Sequence, residues 1–323
     1  MAVKGEGSLF ELVRTPDGDR DAWLEQRRKG VGGSDVAAIM GLSPYRGAYE
    51  VWAEKMGLVE APDISDKPAV TWGNVLEPVV GRHYAENHLD REVRRLNAVC
   101  RSIARPWAQA SLDYEVRDPE LGWGVLEIKT AGLRSAGHWE DGVPLFYQTQ
   151  VAHYLSVTGR PFADVAVLIG GQDYREYRIM RDAGDIAAVD GAVDAFWGLV
   201  ETGEEPPADG SPGEAEALFR RHPKDDGEVW ECPGMPVEVA DYVYCKEVAD
   251  VAKKRLDAAS DALKQLIGER RGIACDGYVV TWARGTKKRF DSKAFREDHP
   301  DLYGAYTTEG PANMGLRIKE RKK

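Results

Sequence analysis

ASLDYEVRDPELGWGVLEIKTA, residues 110–131, is a pair of apolar-flanked runs around a turn. The reversal lies in Arg117-Asp118-Pro119-Glu120-Leu121-Gly122, where Asp, Pro and Gly favour the backbone angles of a turn. Residues 107–116 and 123–130 therefore read as neighbouring antiparallel strands. Side chains alternate across a strand, so Glu127 and Lys129 share one face while Ile128 enters the opposite layer. With Asp113 paired opposite, two carboxylates and an ammonium meet on that face. Such a set can hold a hard divalent cation and activate a water. A Glu-x-Lys pair on a strand is equally suited to a plain ion pair, so these residues alone leave both readings open.

The flanking sequence places this hairpin in an α/β domain. Residues 163–169 are continuously apolar and read as a central strand, with 174–180 as its hairpin partner across Gly170-Gly171-Gln172-Asp173. Helices are predicted at 48–56, 70–88, 144–157 and 185–201 from their apolar spacing. In the helix at 70–88, Trp72, Leu76, Val79 and Val80 are expected to face inward, and Pro78 sits awkwardly in the interior. Glu77 borders the apolar face, where it needs an arginine partner or a cation. Residues 92–103 read as a strand with a turn, presenting Arg94, Arg95 and Arg101, and 133–142 as a loop. Gln150 and Tyr154 share one face of the helix at 144–157, and His153 lies on another, a packing residue rather than a metal ligand. Alternating helices and strands imply a mixed sheet.

At the N-terminal side, residues 1–20 read as a loosely held arm and 21–29 as a short helix burying Trp23 and Leu24. Gly30-Val31-Gly32-Gly33-Ser34-Asp35 then feeds a helix at 36–40. Ser34 or Asp35 can cap that helix, or the loop can receive a phosphate with Arg27 nearby. No Gly-Lys-Ser/Thr follows, which excludes a nucleotide-hydrolysing P-loop.

The clearest linker is EEPPADGSPG at 204–213, dividing a core (1–203) from a C-terminal extension (214–323). The extension carries a helical pattern over 237–271, about 50 Å at 1.5 Å per residue, which suggests a helical hairpin arm or coiled contact. A β-hairpin (274–282 and 288–291, turning at 284–286), a short helix (292–299) and a last strand (313–319) are expected after it.

The chain has 323 residues, 43% hydrophobic and 30% charged, an ordinary globular composition. No apolar run approaches the ~20 residues of a membrane span, and the first residues lack a signal-peptide core, so a cytoplasmic protein is expected. Cys100, Cys232, Cys245 and Cys275 form no CxxC pair, which argues against a zinc ribbon or iron–sulfur site. The net charge of −11 is the wrong sign for a simple DNA-binding protein, yet basic clusters stand at Arg27-Arg28-Lys29, Lys287-Lys288-Arg289 and within 91–105 and 319–323.

Six blocks in order resemble the YqaJ-like viral recombinase family, relatives of the phage lambda exonuclease in the PD-(D/E)XK nuclease superfamily. They are Trp23, Arg27 and Gly30 to Asp35; GLSPY (41–45); WGNVLEP (72–78); ASLDY (110–114); LEIKT (126–130); and YQTQVAHYLSVTG (147–159). Together they span roughly residues 20–200. The resemblance implies a restriction-endonuclease-like mixed-sheet core flanked by helices, with a helical and β-hairpin extension beyond it. It implies Asp113, Glu127 and the Ile128 carbonyl as ligands of Mg²⁺ (Mn²⁺ substituting) and Lys129 as the catalytic lysine. Glu77 and Gln150 match the acid and glutamine on the flanking helices, and Arg27 and Ser34 match binders of a terminal 5′-phosphate. Leu112 replaces the proline of the superfamily name.

The implied activity is a metal-dependent exonuclease resecting double-stranded DNA ends, 5′ to 3′, to give single strands for an annealing protein. The family also implies a homo-oligomer, a trimer in the lambda enzyme, which the longer tail here puts in question. Two alternatives stand beside it: a structure-specific or restriction-like endonuclease, and a DNA-binding or interaction protein whose extension carries the function. A Cas4-like nuclease is disfavoured because its four-cysteine cluster is missing.

Overall fold

The computed structural model describes residues 2–4, 8–14, 20–307, 316 and 318. Strands β1 (Ala2–Lys4) and β2 (Phe10–Val13) precede helices α1 (Arg20–Arg28), α2 (Gly33–Ile39), α3 (Ala48–Lys55) and α4 (Pro68–Asn87). Five strands follow: β3 (Glu92–Arg94), β4 (Val99–Ser102), β5 (Gln109–Ser111), β6 (Tyr114–Asp118) and β7 (Gly122–Ala131). A 3-10 turn (Leu133–Trp139) leads into α5 (Leu145–Thr158), then β8 (Phe162–Ile169), β9 (Asp173–Met180), α6 (Ala183–Thr202) and α7 (Glu214–Arg221). The rest is α8 (Val237–Ile267), β10 (Gly272–Cys275), β11 (Tyr278–Thr281), α9 (Ser292–Asp298) and α10 (Pro300–Ala305). The chain divides into two compact units, Met1–Lys224 and Asp225–Lys323.

The first unit is built on a five-stranded mixed sheet in the order β3-β6-β7-β8-β9. Only β7 and β8 are parallel, and α5 makes the crossover between them, as a parallel pair requires. The two faces of β7 go to different layers. Val125 packs with Val151, Tyr154 and Leu155 of α5, whereas Leu126 and Ile128 pack with Val80 and Tyr84 of α4. Strand β8 is covered on both sides, which is why it is apolar but for Asp164, a buried carboxylate held by Arg91, Arg178 and the Tyr84 hydroxyl. A second sheet, β1-β2-β4-β5, joins the α5 layer, and α2, α3 and α6 form a third cluster around Val36, Trp52 and Phe196. The α/β class and the mixed sheet expected from the sequence are what is observed. Among the described residues, no helix is long and apolar enough to cross a membrane.

Several local expectations are corrected. The first residues are not a free arm: β2 pairs with β4, Phe10 and Leu12 pack on the core, and Glu11 pairs with Arg101. In α1 the buried residue is Gln26, held by the Gln109 side chain at 3.2 Å, while Trp23 is 41% exposed. The N-cap of α2 is Gly32, so Ser34 and Asp35 lie inside the first turn. Along α4 the inward stripe is Leu76, Val80 and Tyr84; Val79 lies off it and is exposed, and Trp72, in the first turns, flanks an open cleft beside Thr130 and Gly132. Residues 133–139 are a 3-10 turn rather than loop.

The sequence linker at 204–213 does not mark the division. Helix α7 returns to α3, where Arg220 pairs with Glu50 and Arg221 donates to the Tyr49 hydroxyl at 2.8 Å, and Ala217 is fully buried. Helix α8 is one unbroken 31-residue helix ending at Ile267, not a helical hairpin. The β-hairpin turns at Asp276-Gly277, with Cys275 opposite Tyr278 and Gly277 at φ +77°. An Asp-Gly two-residue turn matches strand twist best, so residues 284–286 are not the turn and 288–291 form no strand. The strand expected at 313–319 lies outside the described residues, apart from isolated positions.

Candidate active site

Strands β6 and β7 pair with Tyr114 opposite Leu126, so the residue before Tyr114 falls beside Glu127 and Ile128. There the Asp113 Oδ2 accepts the Ile128 N–H at 2.8 Å. Asp113 therefore stands just outside the regular strand, fixed to β7 by its side chain. Glu127 is 2% exposed. Its Oε1 accepts from Lys129 Nζ at 2.6 Å and from Gln150 Nε2 at 2.7 Å. Its Oε2 is buried with no hydrogen-bond partner. Lys129 also reaches the Gln150 Oε1 at 3.3 Å and lies 4.5 Å over the Tyr147 ring. Gln150 in turn donates to the Tyr154 hydroxyl at 2.8 Å. Asp113, Glu127, Lys129 and Gln150 are thus one connected group.

Glu77 approaches from α4. It is held by Arg95 at 2.5 Å, and the same guanidinium donates to the Tyr114 hydroxyl at 2.9 Å. Close packing sets this approach: a Cβ on Gly81, one turn after Glu77, would fall 2.8 Å from the Tyr114 ring. Pro78 has no N–H to give the preceding turn, so the Asn74 carbonyl, four residues earlier, loses that helical donor.

The charges act on one another. Burial and then the neighbouring Asp113 push the Glu127 carboxyl up to about 8, against the pull of Lys129. Burial also raises Asp113, opposed by Lys129 and the Ile128 N–H, and burial with Asp113 raises Glu77. Burial alone would lower Lys129, but Glu127 and Asp113 outweigh it and keep the ammonium charged. With all three acids ionised, Asp113, Glu127 and Glu77 carry more negative charge than Lys129 and Arg95 neutralise, which is why the acids are raised. An unpaired buried carboxylate oxygen beside a second raised acid is the environment a hard divalent cation relieves. Among the described residues no cage of three or more His, Cys, Asp or Glu side chains converges. A cation here would rest on two carboxylates and main-chain oxygen, with Glu77 engaged by Arg95.

Arg27 and Ser34 lie next to this group, beyond Tyr154. The Arg27 guanidinium donates to Asp35 Oδ1 at 2.9 Å and Ser34 Oγ at 3.4 Å. Asp35 is fully buried and also holds Lys55 at 2.7 Å and Arg46 at 3.8 Å. Burial would raise its pKa, but Lys55, Arg27 and Arg46 hold it far below the usual carboxylate range. Asp35 also accepts the Gly32 N–H at 3.2 Å, which pins the glycine loop. Trp23, Arg27, Gly33, Ser34, Ser111 and Tyr154 line a cavity of about 90 Å³. Gly33 joins it to the carboxylate group, since a Cβ there would fall 2.4 Å from the Tyr154 ring and 3.0 Å from Gln150 Cγ.

Asp113, Glu127, Ile128, Lys129 and Gln150 come together, Glu77 reaches their edge, and Arg27 and Ser34 line the adjoining cavity. His153 is buried, its Nε2 within 3.0 Å of the Gln109 carbonyl and 3.2 Å of the Val31 carbonyl, a packing role. Sequence reasoning missed Asp35 as the anchor of Arg27, Tyr147 beneath Lys129, and Arg95 as the partner of Glu77. Tyr147 stands three residues before Gln150, a helical spacing that signals a shared face; the Asp35–Lys55 pair, twenty residues apart on two helices, leaves no such signal.

Comparison with known proteins adds the following. Residues 22–161 match the family model of the YqaJ-like viral recombinase domain. An uncharacterized protein, YqaJ, of Bacillus subtilis (strain 168) is 29% identical over 298 residues, 90% of this chain and 92% of that protein. A protein of African swine fever virus is 40% identical over 65 residues, 20% of this chain and 18% of its own length. Among solved structures, an alkaline exonuclease from Laribacter hongkongensis superposes with a TM-score of 0.47 at 22% identity, over 57% of this chain and 94% of that one.

Proposed function

We propose that the chain, whose residues 22–161 match the YqaJ-like viral recombinase domain model, is a metal-dependent deoxyribonuclease that degrades duplex DNA from its ends. The observation that carries this reading is the buried Glu127 Oε2, left without a partner beside Asp113 and within one hydrogen-bonded group with Lys129 and Gln150. A phosphodiester is itself anionic, so hydrolysing it requires charge cancellation and a delivered hydroxide. Asp113, Glu127 and the Ile128 carbonyl would hold Mg²⁺ or Mn²⁺, whose chemistry when bound is to neutralise phosphate charge and acidify water.

The chain's own residues do the rest. Lys129, kept cationic by its two acids, faces the reacting phosphate, orients the attacking water and offsets the negative charge that develops. Gln150 fixes the Glu127 Oε1 and Lys129 together, so both keep their angle to the scissile bond. Tyr147 shields the lysine from solvent on one side. Arg27, aimed by Asp35, and Ser34 supply a cation and a hydroxyl in the adjoining cavity, a pairing suited to a terminal 5′-phosphate. That cavity, separated from the carboxylates only by the Gly33–Tyr154 contact, gives the enzyme an end to hold while it cuts, and implies 5′ to 3′ polarity.

Self-association belongs to the same reading, through α8 and a second copy of the chain. From Tyr242 to Leu266 the positions at alternating three- and four-residue spacing are all apolar or cysteine, and most of that helix is exposed. Four such repeats suit a coiled coil. In a parallel pair Asp241 of one chain would meet Lys246 of the other, an attractive contact. The single-stranded product would be passed to an annealing protein.

Cutting of end-labelled linear duplex is compared with closed circular DNA, with Mg²⁺, Mn²⁺ or EDTA, and with 5′-phosphate or 5′-hydroxyl ends. Stepwise loss from phosphorylated linear ends, only with metal, is expected. Equal cutting of circles would favour the endonuclease, and no cutting with either metal would refute the nuclease.

A further inference from the structure

The second unit carries its own concentration of positive charge. From Arg270 to Arg289 six cations accompany a single acid, Asp276, in a chain whose net charge is −11. All six are exposed, and none is in an ion pair with a described residue. Of the acids flanking the run, Glu269 pairs with none of them, and Asp291 is engaged at the start of α9, accepting the N–H groups of Lys293 and Ala294.

The β10–β11 hairpin gathers these charges. Beyond the last paired residues, Gly272 and Thr281, the Trp282 N–H donates to the Arg271 carbonyl at 2.9 Å. The Arg284 guanidinium donates to the Arg270 carbonyl and lies 4.4 Å over the Trp282 ring. Three guanidinium-bearing residues therefore meet at the open end of the hairpin, with Lys287, Lys288 and Arg289 following within a few residues. Asp276 sits at the turn, about 13 Å away by strand rise. A face that is merely solvated interleaves both signs of charge, whereas here like charges are held together by backbone hydrogen bonds and repel one another, which an extended polyanion relieves. Two exposed aromatic rings lie on the same segment: Tyr278, 74% exposed, beside the turn, and Phe290, 72% exposed, directly after the basic run, where its ring meets Phe295 at 4.9 Å.

We propose that residues 270–290 bind single-stranded DNA, the cations following successive phosphates and the aromatic rings stacking on bases. Aromatic rings need the open faces of unpaired bases, which a duplex does not offer, and that favours the single strand. The origin of the strand rests on the end-degrading reading above: removing one strand of a duplex end leaves the other unpaired, and this surface retains it.

The full-length chain is titrated in EDTA by fluorescence anisotropy against a labelled single-stranded oligonucleotide and against its blunt duplex. The variants are Arg270→Gln/Arg284→Gln/Lys287→Gln/Lys288→Gln, and separately Tyr278→Ala/Phe290→Ala; circular dichroism and thermal melts check that each is folded. The charge variant is expected to bind the single strand at least about tenfold more weakly, with a salt slope shallower by about 2–3, since each lost phosphate contact removes about 0.7. The aromatic variant is expected to lose about fivefold or more with the slope unchanged, and both should alter duplex affinity far less. Unchanged single-strand affinity, or equal losses on duplex and single strand, overturns the proposal. End cutting with Mg²⁺ is measured on the same proteins. A wild type that binds as expected but never cuts would fail the nuclease reading alone, and one that cuts but is indifferent to these substitutions would fail this one alone.

Discussion

Glu127 is where opposing forces are largest, because it is buried, next to Asp113, and bonded through one oxygen only. A carboxyl with a folded-state pKa above its unfolded value holds its proton more tightly when folded. The stability it contributes is therefore present below the unfolded pKa, about 4.3, and is lost as pH rises through about 8. Asp113 and Glu77, also raised, act in the same direction. Metal-free protein is expected to lose thermal stability between about pH 4.5 and 8; Glu127→Gln should flatten that slope, and Mg²⁺ at pH 8 should raise the melting temperature of the wild type but not of the variant. A melt series in EDTA and in Mg²⁺ reads both, and a slope unaffected by the substitution would contradict the assignment. Asp35 has the opposite sign. Its pKa is depressed by Lys55, Arg27 and Arg46, so its contribution is present above its unfolded value and lost as pH falls below it. Asp35→Asn leaves buried Lys55 unpaired and should cost about 3–5 kcal/mol in denaturant titration.

At the scale of elements, α2 and α5 meet through Gly33, and that contact ties the phosphate-side cavity to the carboxylates. Gly33→Ala places a methyl against Tyr154 and Gln150. It is expected to cost about 1–3 kcal/mol in stability and to slow cutting of 5′-phosphorylated ends more than it weakens metal binding, measured by single-turnover kinetics and Mn²⁺ titration. The long apolar-periodic elements were legible in the sequence: α4, α5, α6, α8 and the β6–β7 and β8–β9 hairpins arise where predicted, because periodicity and turn residues specify them locally. What was not legible depended on distant partners. The first strands look like an arm until β4 supplies an edge to pair with, and Trp72 and Val79 look like core residues because the end of the sheet beneath α4 is not written in the helix. The Asp276-Gly277 pair is itself a turn signal, but it lies within a stretch, 274–282, that otherwise reads as one continuous strand. At the site, alternation in β7 correctly placed Glu127 and Lys129 on one face; the roles of Arg95 and Asp35 were hidden because their partners lie on other elements.

At the scale of the molecule, the chain has two units with different charge and different exposure. The first buries Glu127 in one cluster with Asp113 and Lys129, and the second displays an exposed helix and a basic hairpin. Ending the chain at Lys224 cuts at the observed boundary and keeps α7 on α3. That shorter protein is expected to remain folded and to retain end cutting in a single turnover within about threefold, while losing single-strand retention and α8-mediated association, as read by sizing chromatography and by product length per encounter. If Asp113, Glu127 and Lys129 together hydrolyse DNA from its ends, single-turnover cutting of a 5′-phosphorylated, 3′-labelled linear duplex with Mg²⁺ depends on each of them, and wild type is compared with Glu127→Gln and Lys129→Ala. Metal-dependent cutting by the wild type and losses of at least about 100-fold in each variant are expected, with both still folded. Folded variants that cut at the wild-type rate would contradict that dependence.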